Sequence, residues 1–151
     1  MQSEFHAKLF ARLVDVGEPR FNLAHERLLN MIIEADVLLG SAILLGTALT
    51  EDEWHTLSGI FDELIAYAKV HFAEEMDHLR THGYPAADQH QANHDALVEE
   101  LNFFQRKVMQ NDDANINDIR RWLLEWLLGH VNSQDYDYAQ YFAKIKAEPI
   151  G

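Results

Sequence analysis

The sequence predicts an all-α fold, an antiparallel up-down-up-down four-helix bundle preceded by an N-terminal arm. Only 7 Gly and 3 Pro interrupt the 151 residues, so few chain reversals are available and long helices are favoured over many short strands. Four stretches repeat their apolar residues at helical spacing. The breaks between them are short, and short connections join antiparallel neighbours. With 48% hydrophobic and 25% charged residues, a chain of this length builds one domain around one core.

The elements follow in order. Residues 1–20 form the arm, where Phe5, Leu9, Phe10, Leu13 and Val14 are spaced for a short amphipathic helix. Residues 21–146 form the bundle and 147–151 a tail. In the first bundle helix His25, Leu28, Leu29, Ile32, Leu39 and Ile43 share a face. The second opens at Thr50 with Glu53 three residues on, a capping-box pattern. Its inner face reads Leu57, Ile60, Phe61, Leu64, Tyr67, Ala68, His71, Glu75 and Leu79. It stops at His82-Gly83-Tyr84-Pro85, where Gly caps a helix and Pro cannot continue it. The third turns His90, His94, Leu97, Val98, Leu101, Phe104 and Val108 inward. Asn115 or Asn117 can cap the fourth, whose face is Ile119, Leu123, Trp126, Leu127, His130, Tyr138 and Phe142, with Pro149 closing the pattern.

Charge and composition exclude several functions. The formal net charge is -13, which repels nucleic-acid phosphates and anionic lipid heads, so neither nucleic acid nor membrane is an expected partner. No cysteine is present, which removes disulfides, thiolate metal sites and iron–sulfur clusters and fits a reducing, cytoplasmic location. Met1 to Phe10 lacks the basic and apolar blocks of a signal peptide. The most apolar run, Val37 to Leu49, falls short of the roughly twenty residues of a membrane span.

The chemistry lies in polar residues on apolar faces. His71 and Glu75 are four apart, as are His90 and His94, so each pair projects from one side of its helix. An imidazole or carboxylate facing a core loses hydration without compensation. His25, His71 with Glu75, His90 with His94, and His130 with Asp135 put such groups on all four helices, and a shared metal accounts for them together. Five imidazoles and two carboxylates without sulfur suit first-row ions. Seven ligands are too many for one ion and suit two. If both carboxylates and a solvent oxygen bridge, five imidazoles divide three and two, which leaves one open position. His130 and Asp135 are five apart, about 140° around an ideal helix, so a π-type turn is expected between Val131 and Asp135.

These segments resemble the hemerythrin family, in its bacterial form. The resemblance is carried by His71-Phe72-Ala73-Glu74-Glu75, Tyr84-Pro85, His90-Gln91-Ala92-Asn93-His94, Trp126 to Val131, and Asp135-Tyr136-Asp137-Tyr138, together with His25. It implies two non-haem iron ions with a bridging oxo or hydroxo group. His90, His94 and His130 would hold one iron, His25 and His71 the iron with the open site, and Glu75 and Asp135 would bridge. Phe72, Trp126, Leu127 and Val131 would wall an apolar dioxygen pocket. Two positions depart from the bacterial pattern: Asn22 and Ala24 stand where an acidic residue and a glutamine are usual.

The expected function is reversible dioxygen binding, for storage, delivery or sensing, by a protein that is not an enzyme. An oxygen- or redox-sensing input domain attached to an output module is the nearest alternative. A di-iron enzyme acting on peroxide, nitric oxide or ferrous iron is the next. The arm offers a contact for an output domain or a second copy. Glu75 and His78 match the Glu-x-x-His of ferritin-like sites, but the second such pair, Asp52 with His55, sits near a helix start. His6, His55, His78 and His82 read as surface residues.

Overall fold

The start of the first bundle helix and both ends of the second fall on residues chemically suited to make them. The structure, a computed structural model, describes residues 4–147. It contains α1 (Glu4–Arg12), α2 (Pro19–Leu45), α3 (Glu51–Thr81), α4 (Ala87–Met109), α5 (Ile116–His130) and α6 (Tyr136–Ala147). Pro19 occupies the first turn of α2, where its missing N–H costs nothing. Thr50 Oγ1 accepts from the Glu53 N–H at 3.1 Å, and Glu53 Oε1 accepts from the Thr50 N–H at 3.0 Å, which completes the capping box of α3. At the other end of α3, Gly83 takes φ +68°. The Tyr84 N–H then reaches the Leu79 carbonyl at 2.9 Å and the Gly83 N–H reaches that of Arg80 at 3.2 Å, the paired bonds of a Schellman ending.

Two sequence expectations about these elements need correction. Asn115 precedes α5 but makes no side-chain cap. Instead Asp112 accepts from the Ala114 N–H at 2.9 Å and starts a 3₁₀ turn, Asp113–Asn115, that leads into the helix. Ile43 is 39% exposed. At the last turn of α2 the buried stripe passes through Ala42 instead, because four-residue steps drift around a helix of 3.6 residues per turn. Pro149 and the end of the tail lie outside the described residues.

Helix α3 packs on α2 and α4, and α2 also packs on α5. Leu28, Ile32, Leu39, Leu57, Phe61, Leu64, Leu101 and Ile119 are fully buried between them. By length and composition α2 could cross a membrane, with a mean hydropathy of 1.9 in its most apolar window. Its apolar face is nevertheless occupied by the other helices, and it carries buried His25 and Asp36.

Helix α1 lies against α2 with Leu9 buried. His6, expected at the surface, is only 8% exposed. Its Nε2 is 2.7 Å from Asp36 Oδ2, while Arg120 Nε donates to Asp36 Oδ1 at 2.7 Å. Asp36 is a carboxylate in the middle of an apolar stripe, and its two partners come from residues 30 and 84 positions away. His55 and His82 are exposed, and His78 is half-buried.

Candidate metal centre

All four bundle segments deliver side chains to one buried cluster. His25 comes from α2, His71 and Glu75 from α3, His90 and His94 from α4, His130 from the last residue of α5, and Asp135 from the turn beyond it. That turn, Val131–Asp135, is a π-helix, the irregularity that the five-residue spacing predicts. The wider turn brings Asp135 back onto the face of His130. All seven side chains are buried, Glu75 and Asp135 completely.

The two carboxylates each present one oxygen to either side. Glu75 Oε1 lies 2.8 Å from His90 Nε2 and 2.9 Å from His94 Nε2. Its Oε2 lies 3.4 Å from His71 Nε2 and 3.8 Å from His25 Nε2. Asp135 Oδ1 is 2.9 Å from His130 Nε2 and 3.1 Å from His90 Nε2, while Oδ2 is 3.1 Å from His25 Nε2. Two groups of donor atoms result. Glu75, His90, His94, His130 and Asp135 form one, and His25, His71 and Glu75 the other, with the atoms of each group within 4.8 Å of one another.

His90 and His94 hydrogen-bond Glu75 Oε1, but the other close approaches are not hydrogen bonds. Nε2 of His25, His71 and His130 and both oxygens of Asp135 are buried without a hydrogen-bond partner. Unpaired buried polar atoms are costly, and a bound cation would satisfy this set together. The donor chemistry, imidazole and carboxylate without thiolate, fits a first-row metal.

Electrostatics agree with that fit. Burial pushes Glu75 upward, but contacts with His25, His71, His90 and His94 prevail and hold it well below the usual carboxylate range. Asp135 is likewise held low by His130 and His25 against burial and the charge of Glu75. Burial depresses His25 and His90, yet their contacts with Asp135 and Glu75 outweigh it and raise both to about 9. Burial lowers His94. The two anions therefore keep positive charge between them: protons on His25 and His90 in the metal-free chain, metal cations when these are bound.

Surrounding groups include several that sequence reading missed. Tyr138, fully buried, donates its hydroxyl to Glu75 Oε2 at 3.1 Å. Burial and the charge of Glu75 raise its pKa, so it stays a donor. Gln134 Oε1 bonds His130 Nδ1, which leaves Nε2 to face the carboxylates. Phe21 stands edge-on to His71 at 5.7 Å. Tyr138 was already visible on the inner face of its helix, but nothing in the sequence links its hydroxyl to a residue 63 positions away.

Phe72, Trp126, Leu127 and Val131 are all buried. Phe72 stacks on His94 at 4.0 Å and lies 5.9 Å from His130 and 6.4 Å from Trp126. Trp126 Nε1 donates to the Leu97 carbonyl at 3.2 Å. A groove of about 320 Å³ between α3 and α4 reaches Phe72 and His94 from outside, and Phe72 is the only one of the four that lines it.

Fold and cluster together define a helical bundle with a buried histidine–carboxylate cluster that could hold a metal ion. The model of the hemerythrin HHE cation-binding domain matches residues 19–142. The chain therefore belongs to the hemerythrin family. Among similar proteins, a bacteriohemerythrin of Clostridium acetobutylicum is 30% identical over 88 residues, covering 58% of this chain and 68% of the relative. A bacteriohemerythrin of Stenotrophomonas maltophilia is 22% identical over 126 residues, 83% of this chain and 75% of the relative. A hemerythrin subunit alpha of Lingula reevii is 26% identical over 80 residues, 51% and 62% respectively. No solved structure gives a significant match.

Proposed function

We propose that this protein is a non-haem di-iron protein that binds dioxygen reversibly. In this reading the bundle is antiparallel, up-down-up-down, with residues 1–20 as an added arm. His90, His94 and His130 hold one iron and His25 and His71 the other. Glu75 and Asp135 bridge. The observation that carries the reading is the division of each carboxylate, one oxygen toward the three-histidine side and the other toward the two-histidine side. Family membership supports iron as the metal.

Two irons held in this way would supply the electrons that reversible dioxygen binding exchanges. The chain's own residues set the conditions. Unequal histidine numbers leave the two-histidine side short of one protein ligand. Tyr138 and Gln134 orient Glu75 and His130. The apolar walls Phe72, Trp126, Leu127 and Val131 exclude the water and protons that promote irreversible oxidation. A storage, delivery or sensing role is compatible with this site.

The test is an oxygen titration of the anaerobically iron-loaded chain, followed by visible absorption. A saturable change that reverses under vacuum supports the proposal. Immediate, irreversible oxidation with turnover on added peroxide or nitric oxide would favour a di-iron enzyme.

A further inference from the structure

The segment between α1 and α2 touches α2, which carries His25, and the π-turn, which carries Asp135. Asn132 Nδ2 donates to the Arg12 carbonyl at 2.8 Å, and the Val14 N–H donates to Asn132 Oδ1 at 3.3 Å. Two residues further on, the Val16 N–H donates to Asn22 Oδ1 at 3.0 Å, and Asn22 Nδ2 donates to Asp15 Oδ1 at 2.8 Å. Asn132 lies in the π-turn three residues before Asp135, and Asn22 lies in the first turn of α2 three residues before His25. Those two side chains face each other, with Nε2 and Oδ2 3.1 Å apart.

We propose that residues 12–16 form a strap across the start of α2 and the π-turn, with Asn22 and Asn132 as positioning residues that hold His25 against Asp135. This rests on reading His25 and Asp135 as ligands of one metal. Both strapped elements depart from regular mid-helix bonding. A π-turn is a rare departure from the α-helical bonding around it, and the first turn of a helix has amide groups without intrahelical partners. The Arg12 carbonyl at the end of α1 also lacks a helical partner and finds one in Asn132. At its far end the strap is anchored, because α1 buries Leu9 and sets His6 on Asp36. A strap so placed bears on the two-histidine side through His25 and Asp135, and on the three-histidine side only through Asp135, whose Oδ1 faces His130 and His90.

The experiment uses the full chain with Asn132→Ala, Asn22→Ala and both. Amide hydrogen exchange of the metal-free proteins is read first. The strap predicts exchange at Val131–Asp135 about tenfold faster in Asn132→Ala, the scale of losing one or two hydrogen bonds, with the middle of α4 unchanged. Asn22→Ala should speed exchange at Val16 similarly and serves as the independent variant should Asn132→Ala fold poorly. Iron release from the loaded proteins to a chelator is read second. In Asn132→Ala both irons should leave several-fold faster, because both share Asp135, whereas in Asn22→Ala, which bears on His25, one iron should leave faster and the other at its wild-type rate. Unchanged exchange in both variants would overturn the strap. Wild-type release of both irons in both variants, or equal acceleration of both in Asn22→Ala, would overturn its positioning role. A wild-type chain that takes up no iron would sink the di-iron reading and with it the positioning role, while the exchange comparison still decides whether the strap exists.

Discussion

On the three-histidine side of the cluster, His90 and His94 stand one turn apart on a single helix, and their Nε2 atoms lie within 2.9 Å of Glu75 Oε1. The two-histidine side is assembled from two helices, and His71 and His25 lie 3.4 and 3.8 Å from Glu75 Oε2. Support differs as well. His130 is oriented by Gln134 and His94 carries the Phe72 ring, whereas neither ring nitrogen of His25 or His71 has a hydrogen-bond partner. The difference teaches how one bundle can offer two unequal groups of donor atoms. In the proposed reading the closely held side anchors one metal, and the looser side is one protein ligand short.

The largest expected effect removes what both sides share. Glu75→Ala should abolish binding of both metals, seen as a fall from about two irons per chain to near none by metal analysis. The other carboxylate alone cannot neutralise two cations in a buried site. His25→Ala should separate the sides: about one iron per chain should remain, with the three-histidine side occupied. Loss of both irons in His25→Ala would break the comparison.

A prediction of intermediate size concerns pH. In the metal-free chain His25 and His90 have pKa values near 9 against an ordinary 6.5. Their raised values contribute stability that is fully present below about 6.5 and is lost as pH rises through about 9. Urea midpoints of the metal-free protein should therefore fall across that window. Metal uptake should strengthen across the same window, because those protons must leave before the imidazoles can ligate. A flat profile in both measurements would remove one proton from each side of the comparison.

Away from the metals, Asp36→Ala removes the acceptor that His6 and Arg120 share. A cost of about 2 kcal/mol in chemical denaturation is expected, the scale of charged hydrogen bonds, with iron content unchanged. The smallest effect belongs to Tyr138→Phe, which takes one donor from Glu75 Oε2. It should cost about 1 kcal/mol and retain two irons, with a shift in the visible spectrum that Asp36→Ala does not produce.

What the sequence revealed and what it hid follow from distance along the chain. His71 with Glu75 and His90 with His94 were readable because a helix puts residues four apart on one side. The π-turn was readable because a five-residue gap cannot be reconciled with a regular helix when both ends must face inward. The capping box at Thr50 and the ending at Gly83 are local patterns too. The hidden features are pairings over long separations. Asp36 with Arg120 spans 84 residues and Asn132 with Arg12 spans 120. His6 looked like a surface residue because its partner is on another helix. Asp36 did leave a signal, a carboxylate on the apolar stripe of α2, three turns beyond His25. Which oxygen of each bridging candidate faces which histidine required the packed structure.

The central claim is that Glu75 and Asp135 join two metals in one centre. Anaerobic iron loading, with iron counted per chain and the magnetic coupling of the oxidised protein measured, tests it most directly. Two irons per chain that are strongly coupled through their bridges are the predicted result. One iron per chain at saturation, or two that behave as independent ions, would contradict it.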